Sequence, residues 1–170
     1  MDEHRLGLKP ILSRVWTPPG VEPIAEVNPG YKWLYLAGFI HPESGESSFW
    51  ILSGVSGAVF DLLLRAFAEE QGVGAKRRIL LVLDGAGWHG CRDVSPPEGL
   101  SLVFLPPYSP ELQPAERLWP LVDEPLANRA FSSLEEIETV LETRCIRLSE
   151  CPELLRAHTL FHWWPRASDG

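Results

Sequence analysis

Ile79-Leu80-Leu81-Val82-Leu83-Asp84-Gly85-Ala86-Gly87-Trp88-His89 reads as five apolar residues, an acid and a turn of small residues. A continuous apolar run of that length, bounded by turn signals, suits a buried central β-strand. Asp84 then stands at the C-terminal end of the strand, where open α/β sheets bind their ligands. Upstream the period changes. Phe60, Leu63, Leu64 and Phe67 recur at i, i+3, i+4 and i+7, which predicts a one-faced helix ending near Gly72. Before it, residues 32–40 are aromatic and β-rich, His41-Pro42-Glu43-Ser44-Gly45 is turn material, and Ser47 to Leu52 reads as a second strand, so the pair forms a hairpin. Downstream, Leu100 to Leu105 fits a further strand. The last third is helical. Ser133 and Glu136 have capping-box spacing, and Leu134, Ile137, Leu141, Cys145 and Leu148 continue an apolar face. Another helix is expected from Pro152 to about His162. Hairpin, helix, strand, strand and helices in that order predict an α/β domain with a mixed sheet flanked by helices.

The chain has 170 residues, a length suited to one domain, and its 45% hydrophobic and 22% charged residues mark a globular sequence. No apolar run approaches the length of a membrane span. The opening Met-Asp-Glu-His-Arg does not resemble a signal peptide, so a cytoplasmic protein is expected. Three cysteines, Cys91, Cys145 and Cys151, are an odd count without close pairing and agree with a reducing compartment. The net charge of −8 is awkward for a protein that handles nucleic acid, which is usually met by a basic surface. Alone it favours a small-molecule enzyme or an interaction module.

Three acids stand out by position. Asp84 ends the apolar strand. Asp2 opens the chain just before Arg5-Leu6-Gly7-Leu8. Glu116 lies two residues after Pro114, which suits the first turn of a helix, where a carboxylate is favoured by the helix dipole. Oxygen-only ligands suit Mg²⁺ or Mn²⁺. Two such ions, held about 4 Å apart, can clamp the attacking and leaving oxygens of a phosphodiester displacement. Any acidic protein offers three carboxylates, so spacing alone does not select these.

The blocks at 81–89 and at 105–119, Leu-Pro-Pro-Tyr-Ser-Pro-Glu-Leu-Gln-Pro-Ala-Glu-Arg-Leu-Trp, resemble the signature blocks of mariner-like bacterial insertion-sequence transposases. Asp2 to Pro10, Asn128-Arg129-Ala130-Phe131 and Leu160-Phe161-His162-Trp163-Trp164 extend the resemblance over nearly the whole chain. It implies a DDE superfamily endonuclease with an RNase H-like fold, spanning residues 1–170 as a single catalytic domain. Asp2, Asp84 and Glu116 would be the catalytic carboxylates and would hold two Mg²⁺ or Mn²⁺ ions; Glu3 and Glu111 would not be principal ligands. The implied reaction is DNA cleavage at the transposon ends by water, then strand transfer by the freed 3′-hydroxyl into a TA-rich target. The implied partners are transposon-end and target DNA and a second copy of the chain. Relatives carry a helix-turn-helix region before the catalytic block and more strand residues before the first Asp; many have Asn in place of Gly85 and Gln113, and basic residues near Pro19 and Glu22. The DNA-reading part is therefore expected on a separate helix-turn-helix chain, which accounts for much of the acidic charge. The protein would be cytoplasmic and nucleoid-associated when acting on DNA.

Two other functions compete: a catalytically silent fragment that pairs with and inhibits a full-length transposase, and a general RNase H-like nuclease. Several residues have a plain structural reading beside a functional one. Asp84 could be a strand-end turn acid, Asp2 a frayed terminal acid, and Glu116 a helix-start acid. His89, next to Trp88, could contact DNA or tune the metal site, or only bond its surroundings. Cys145, Cys151, His158 and His162 lack zinc-finger spacing, and Cys145 belongs to an apolar helix face. Lys76-Arg77-Arg78 reads as a solvated loop before DNA contact, and Trp163 and Trp164 as packing before base stacking.

Overall fold

The computed structural model describes residues 1–22, 24, 28, 30–92, 94–162 and 164. Its elements are β1 (Asp2–Gly7), β2 (Trp33–Ile40), β3 (Ser47–Leu52), α1 (Gly57–Glu70), β4 (Ile79–Leu83), β5 (Leu100–Phe104), two 3₁₀ turns (Pro110–Leu112 and Pro114–Leu118), α2 (Trp119–Asp123), α3 (Leu134–Ser149) and α4 (Pro152–Thr159). β1, β2 and β3 form an antiparallel ladder, and β4 and β5 a parallel one. The Met1 nitrogen donates to the Val82 carbonyl at 2.8 Å, which sets the start of β1 against β4. The order across the domain is therefore β3-β2-β1 and then β4-β5, with both strand senses present. The mixed α/β architecture agrees with the sequence expectation. No helix among the described residues is long and apolar enough to cross a membrane.

Strand periodicity explains the two cores. Side chains alternate across a strand, so even and odd positions of β2 face opposite ways. Leu34 and Leu36 join Leu6, Leu8, Leu118, Trp119, Val122, Leu141, Leu148 and Leu155 on one side. Ala37 and Phe39 join Phe60, Leu63, Leu64, Phe67, Leu81 and Leu83 on the other. α1 thus covers one face, and α2, α3 and α4 the other. Each fully buried leucine stabilises the fold by roughly 2 kcal/mol relative to an exposed one. The buried face of α1 includes the four residues whose spacing predicted it, and Ser56 caps its start by accepting from Val59 N at 3.2 Å. The hairpin closes through His41 N to Glu46 O at 2.8 Å. Gly45 turns it at φ +77°, where a Cβ would collide with the Pro152 carbonyl.

Three details depart from the sequence reading. β4 is not buried on both faces: Leu81 and Leu83 are inside, but Leu80 is 65% exposed. α3 packs over β3, so the helical layer on that side leaves the outward face of β4 and β5 open. α4 stops at Thr159, because Leu160 turns to extended backbone. The capping box of α3 is displaced. Ser133 Oγ accepts from Glu136 N at 3.4 Å, but the Glu136 carboxylate takes the Ser132 N–H at 3.0 Å and the Ser132 hydroxyl at 2.5 Å.

The Ser132 hydroxyl and N–H hold the Glu136 carboxyl below its ordinary range. An acid that ionises more readily folded than unfolded contributes stability above its unfolded range, lost as pH falls through the folded value. Glu136→Gln should therefore slightly lower Tm at pH 7, with the difference from the parent closing at acid pH. Thermal melts from pH 7 down to pH 3 check this.

Candidate active site

The pleat of β1 sends its first two acids to opposite faces. Asp2 points to the side of α2, and its Oδ2 accepts the Trp119 indole N–H at 2.7 Å. It is 8% exposed, so it is not a frayed terminal acid. Glu3 points to the side of α1, where its Oε1 accepts from Trp88 Nε1 at 3.3 Å and lies 2.9 Å from His89 Nε2.

Asp84 follows β4 and remains exposed, and its Oδ1 accepts from Ala86 N at 3.0 Å. That is the strand-end turn the plain reading expects. The same oxygen lies 2.9 Å from His89 Nδ1. Among the described residues no donor reaches Oδ2, which is left toward solvent. His89 itself is buried against the Phe60 ring, 4.5 Å between centroids. It stands between Glu3 and Asp84 and cannot touch DNA directly. Burial alone would push its imidazole down, but the hydrogen bond and charge of Glu3, aided by Asp84, hold it above the ordinary histidine value.

Glu116 sits on the 3₁₀ turn Pro114–Leu118, not in the first turn of an α-helix. Pro114 opens that turn, as expected of proline at a first helical position. Gln113, just before it, is buried and donates from Nε2 to the Met1 carbonyl at 2.7 Å; its Oε1 has no partner among the described residues. The turn is thereby fastened to the start of β1. Glu116 is exposed, yet neighbouring protein atoms desolvate its carboxyl and raise its pKa, and the charges of Asp2 and Asp84 raise it further. Burial likewise raises Asp2, with the Trp119 N–H offsetting part of the effect. The charges of Asp2, on β1, and of Asp84, after β4, thus both bear on Glu116.

This donor set is oxygen-only and short of positive charge, which fits Mg²⁺ or Mn²⁺. Among the described residues no three acid, His or Cys side chains stand at the spacing of a single-ion cage. Mg²⁺ is commonly held by one or two carboxylates together with water and substrate phosphate, so such a cage is not required.

The remaining candidates are dispersed. Lys76, Arg77 and Arg78 form an exposed loop. Cys145 is buried in α3, its thiol pushed up to about 12 by burial, while Cys151 is exposed ahead of α4. His158 bonds the Leu154 carbonyl of its own helix, and His162 is exposed. Trp163 lies outside the described residues; Trp164 is half-buried and donates its backbone N–H to Phe161 O. Sequence reasoning passed over the contacts of Trp119 and Gln113, although both lie within three residues of Glu116.

Because the Asp2 carboxyl ionises less readily folded than unfolded, its charge costs stability, and the cost grows as pH rises through the carboxylate range. Asp2→Asn should raise Tm of the metal-free protein at pH 7, with the gain vanishing as pH falls below the ordinary aspartate range. Melts in the presence of a chelator measure it.

Comparison with known proteins gives the lineage. The profile described as DDE superfamily endonuclease matches residues 1–138. The protein y4pE/y4sA of Sinorhizobium fredii (strain NBRC 101917 / NGR234) is 30% identical over 136 residues, 79% of this chain and 99% of that protein. Among solved structures, the Mos1 strand transfer complex superposes with TM-score 0.60 at 18% identity, covering 95% of this chain and 54% of that one. The Mos1 mariner paired end complex with Mn gives 0.60 at 19% identity over 95% and 55%. The chain thus spans about half the length of the Mos1 chains it matches, and shares their RNase H-like α/β fold. With its strand order, sheet-end acids and profile match taken together, the chain belongs to the DDE superfamily endonuclease family.

Proposed function

We propose that this chain is the catalytic domain of a transposase that cuts and joins DNA, with Asp2, Asp84 and Glu116 holding two Mg²⁺ or Mn²⁺ ions. The observation that carries the reading is placement: Asp2 on β1 is bonded to Trp119, three residues after Glu116, and the Met1 nitrogen bonds β4, the strand that ends at Asp84. The charges that Asp2 and Asp84 bring to bear on Glu116 are unfavourable by themselves and are relieved by divalent cations. When bound, the ions would activate the attacking oxygen and offset charge building on the phosphate. The protein's own part is placement. Trp119 fixes one oxygen of Asp2, while Ala86 N fixes one oxygen of Asp84 and His89 Nδ1 bonds the Asp84 backbone carbonyl. Glu116 stays at the surface, where a phosphodiester can approach. Without cations the acidic cluster repels DNA.

The solved relatives include a Mos1 complex with a left transposon end and complexes with Mn and with Mg. By extension, this chain would act on transposon-end and target DNA as a homodimer or beside a separate helix-turn-helix chain, in the cytoplasm at the nucleoid. The net charge of −8 favours a division of labour, with phosphate affinity supplied mainly by the DNA-reading part.

Calorimetric titration of Mn²⁺ tests the reading. The parent should bind Mn²⁺ at up to millimolar concentration. Asp84→Asn and Glu116→Gln should each weaken binding about tenfold or more, and neither should nick a transposon-end duplex when a DNA-binding domain is supplied. A parent chain that binds no Mn²⁺ and does not nick would sink this proposal in favour of the silent, inhibitory fragment.

A further inference from the structure

We propose that Trp119 is a positioning residue of this metal centre, fixing Asp2 by one carboxylate oxygen and tying it to the turn that carries Glu116. The inference rests on the reading of Asp2 and Glu116 as metal ligands.

Indole nitrogen is a donor only, so Trp119 cannot itself bind a cation. Its N–H reaches Asp2 Oδ2 at 2.7 Å inside the protein, where a donor left unpaired is costly. Trp119 lies three residues after Glu116, at the point where the 3₁₀ turn becomes α2. One hydrogen bond therefore links β1, which carries the first acid, to the segment that carries the third.

The surroundings fix the ring in that pose. Gly38 pairs with Asp2 across the β1–β2 ladder, and a Cβ there would stand 2.9 Å from Trp119 Cη2. The bare glycine is what lets the six-membered ring lie on β2. On its other side the indole is stacked on His4, with centroids 5.0 Å apart and planes 14° from parallel. His4 Nε2 is in turn 2.8 Å from Asp123 Oδ1, at the end of α2. Simple core packing would need an aromatic ring here, but not a donor aimed at a carboxylate.

Trp119→Phe keeps a ring and deletes the donor. Mn²⁺ titration, followed by calorimetry and by the Mn²⁺ paramagnetic resonance spectrum, should show binding weakened about tenfold and an altered spectrum, with circular dichroism unchanged. In an Asp2→Asn background the same substitution should add nothing. If the parent binds Mn²⁺ and Trp119→Phe binds it equally well with the same spectrum, Trp119 is only packing and the inference falls. If the parent binds no Mn²⁺, the metal reading itself fails and takes this inference with it. Should Trp119→Phe fold poorly, the labelled parent decides: the indole N–H resonance next to His4 shifts on adding Mg²⁺ if Trp119 holds a ligand, and stays in place if it does not.

Discussion

Everything at the sheet end depends on the pleat of β1 between two differently furnished layers. A strand that alternates sides at every residue separates Asp2 from Glu3 completely, although they are adjacent in sequence. Asp2 meets an indole N–H and the turn of Glu116. Glu3 meets an imidazole and a second indole. One layer bonds its acid to the Trp119 indole; the other bonds its acid to the buried His89 ring. A shift of register by one residue would exchange the two and dismantle both arrangements. The full ladder from Asp2–Gly38 to Gly7–Trp33 prevents that shift, because Leu6 and Leu8 must stay with the α2–α4 core.

His89 connects the two layers. Its ring lies against α1 through Phe60, while its nitrogens face Glu3 and Asp84. The second acid is thus supported from the side of the first strand that the first acid does not use. Asp2 is held through a carboxylate oxygen by the Trp119 indole and Asp84 through its backbone carbonyl by the His89 ring, and each of those rings is itself buried. Sites held by rigid elements and supporting contacts of this sort keep their geometry better than sites on loops alone.

Much of this was legible in the sequence. The helical period of Phe60, Leu63, Leu64 and Phe67 and the aromatic hairpin reappear nearly residue for residue, because local pattern and burial agree there. The family was legible from the Pro-Pro-Tyr-Ser-Pro-Glu-Leu block, and the profile match bears it out. What was not legible depends on contacts distant in sequence. Nothing local announces that Trp119 will find Asp2, 117 positions away, or that Glu3 will be paired with His89, 86 positions away. The apolar run of β4 misled for a related reason. Apolar character shows that a strand is compatible with burial, but whether a helix covers it is decided by where α3 lies, and α3 packs over β3.

The same residues that make the site plausible make it locally unfavourable. Burial of Asp2 and desolvation of Glu116, reinforced by the charges of Asp2 and Asp84, both disfavour the ionised carboxylates. A fold selected only for stability would replace at least one of these acids with an amide or an apolar residue. The compensation lies in the surrounding scaffold: the α2–α4 core beneath Asp2, the Gln113 bond that fastens the Glu116 turn to Met1, and the stack of His4 on Trp119. Local strain carried by a well-packed frame is what a pre-organised cation site requires, since carboxylates free to move apart would lose the repulsion that a cation relieves.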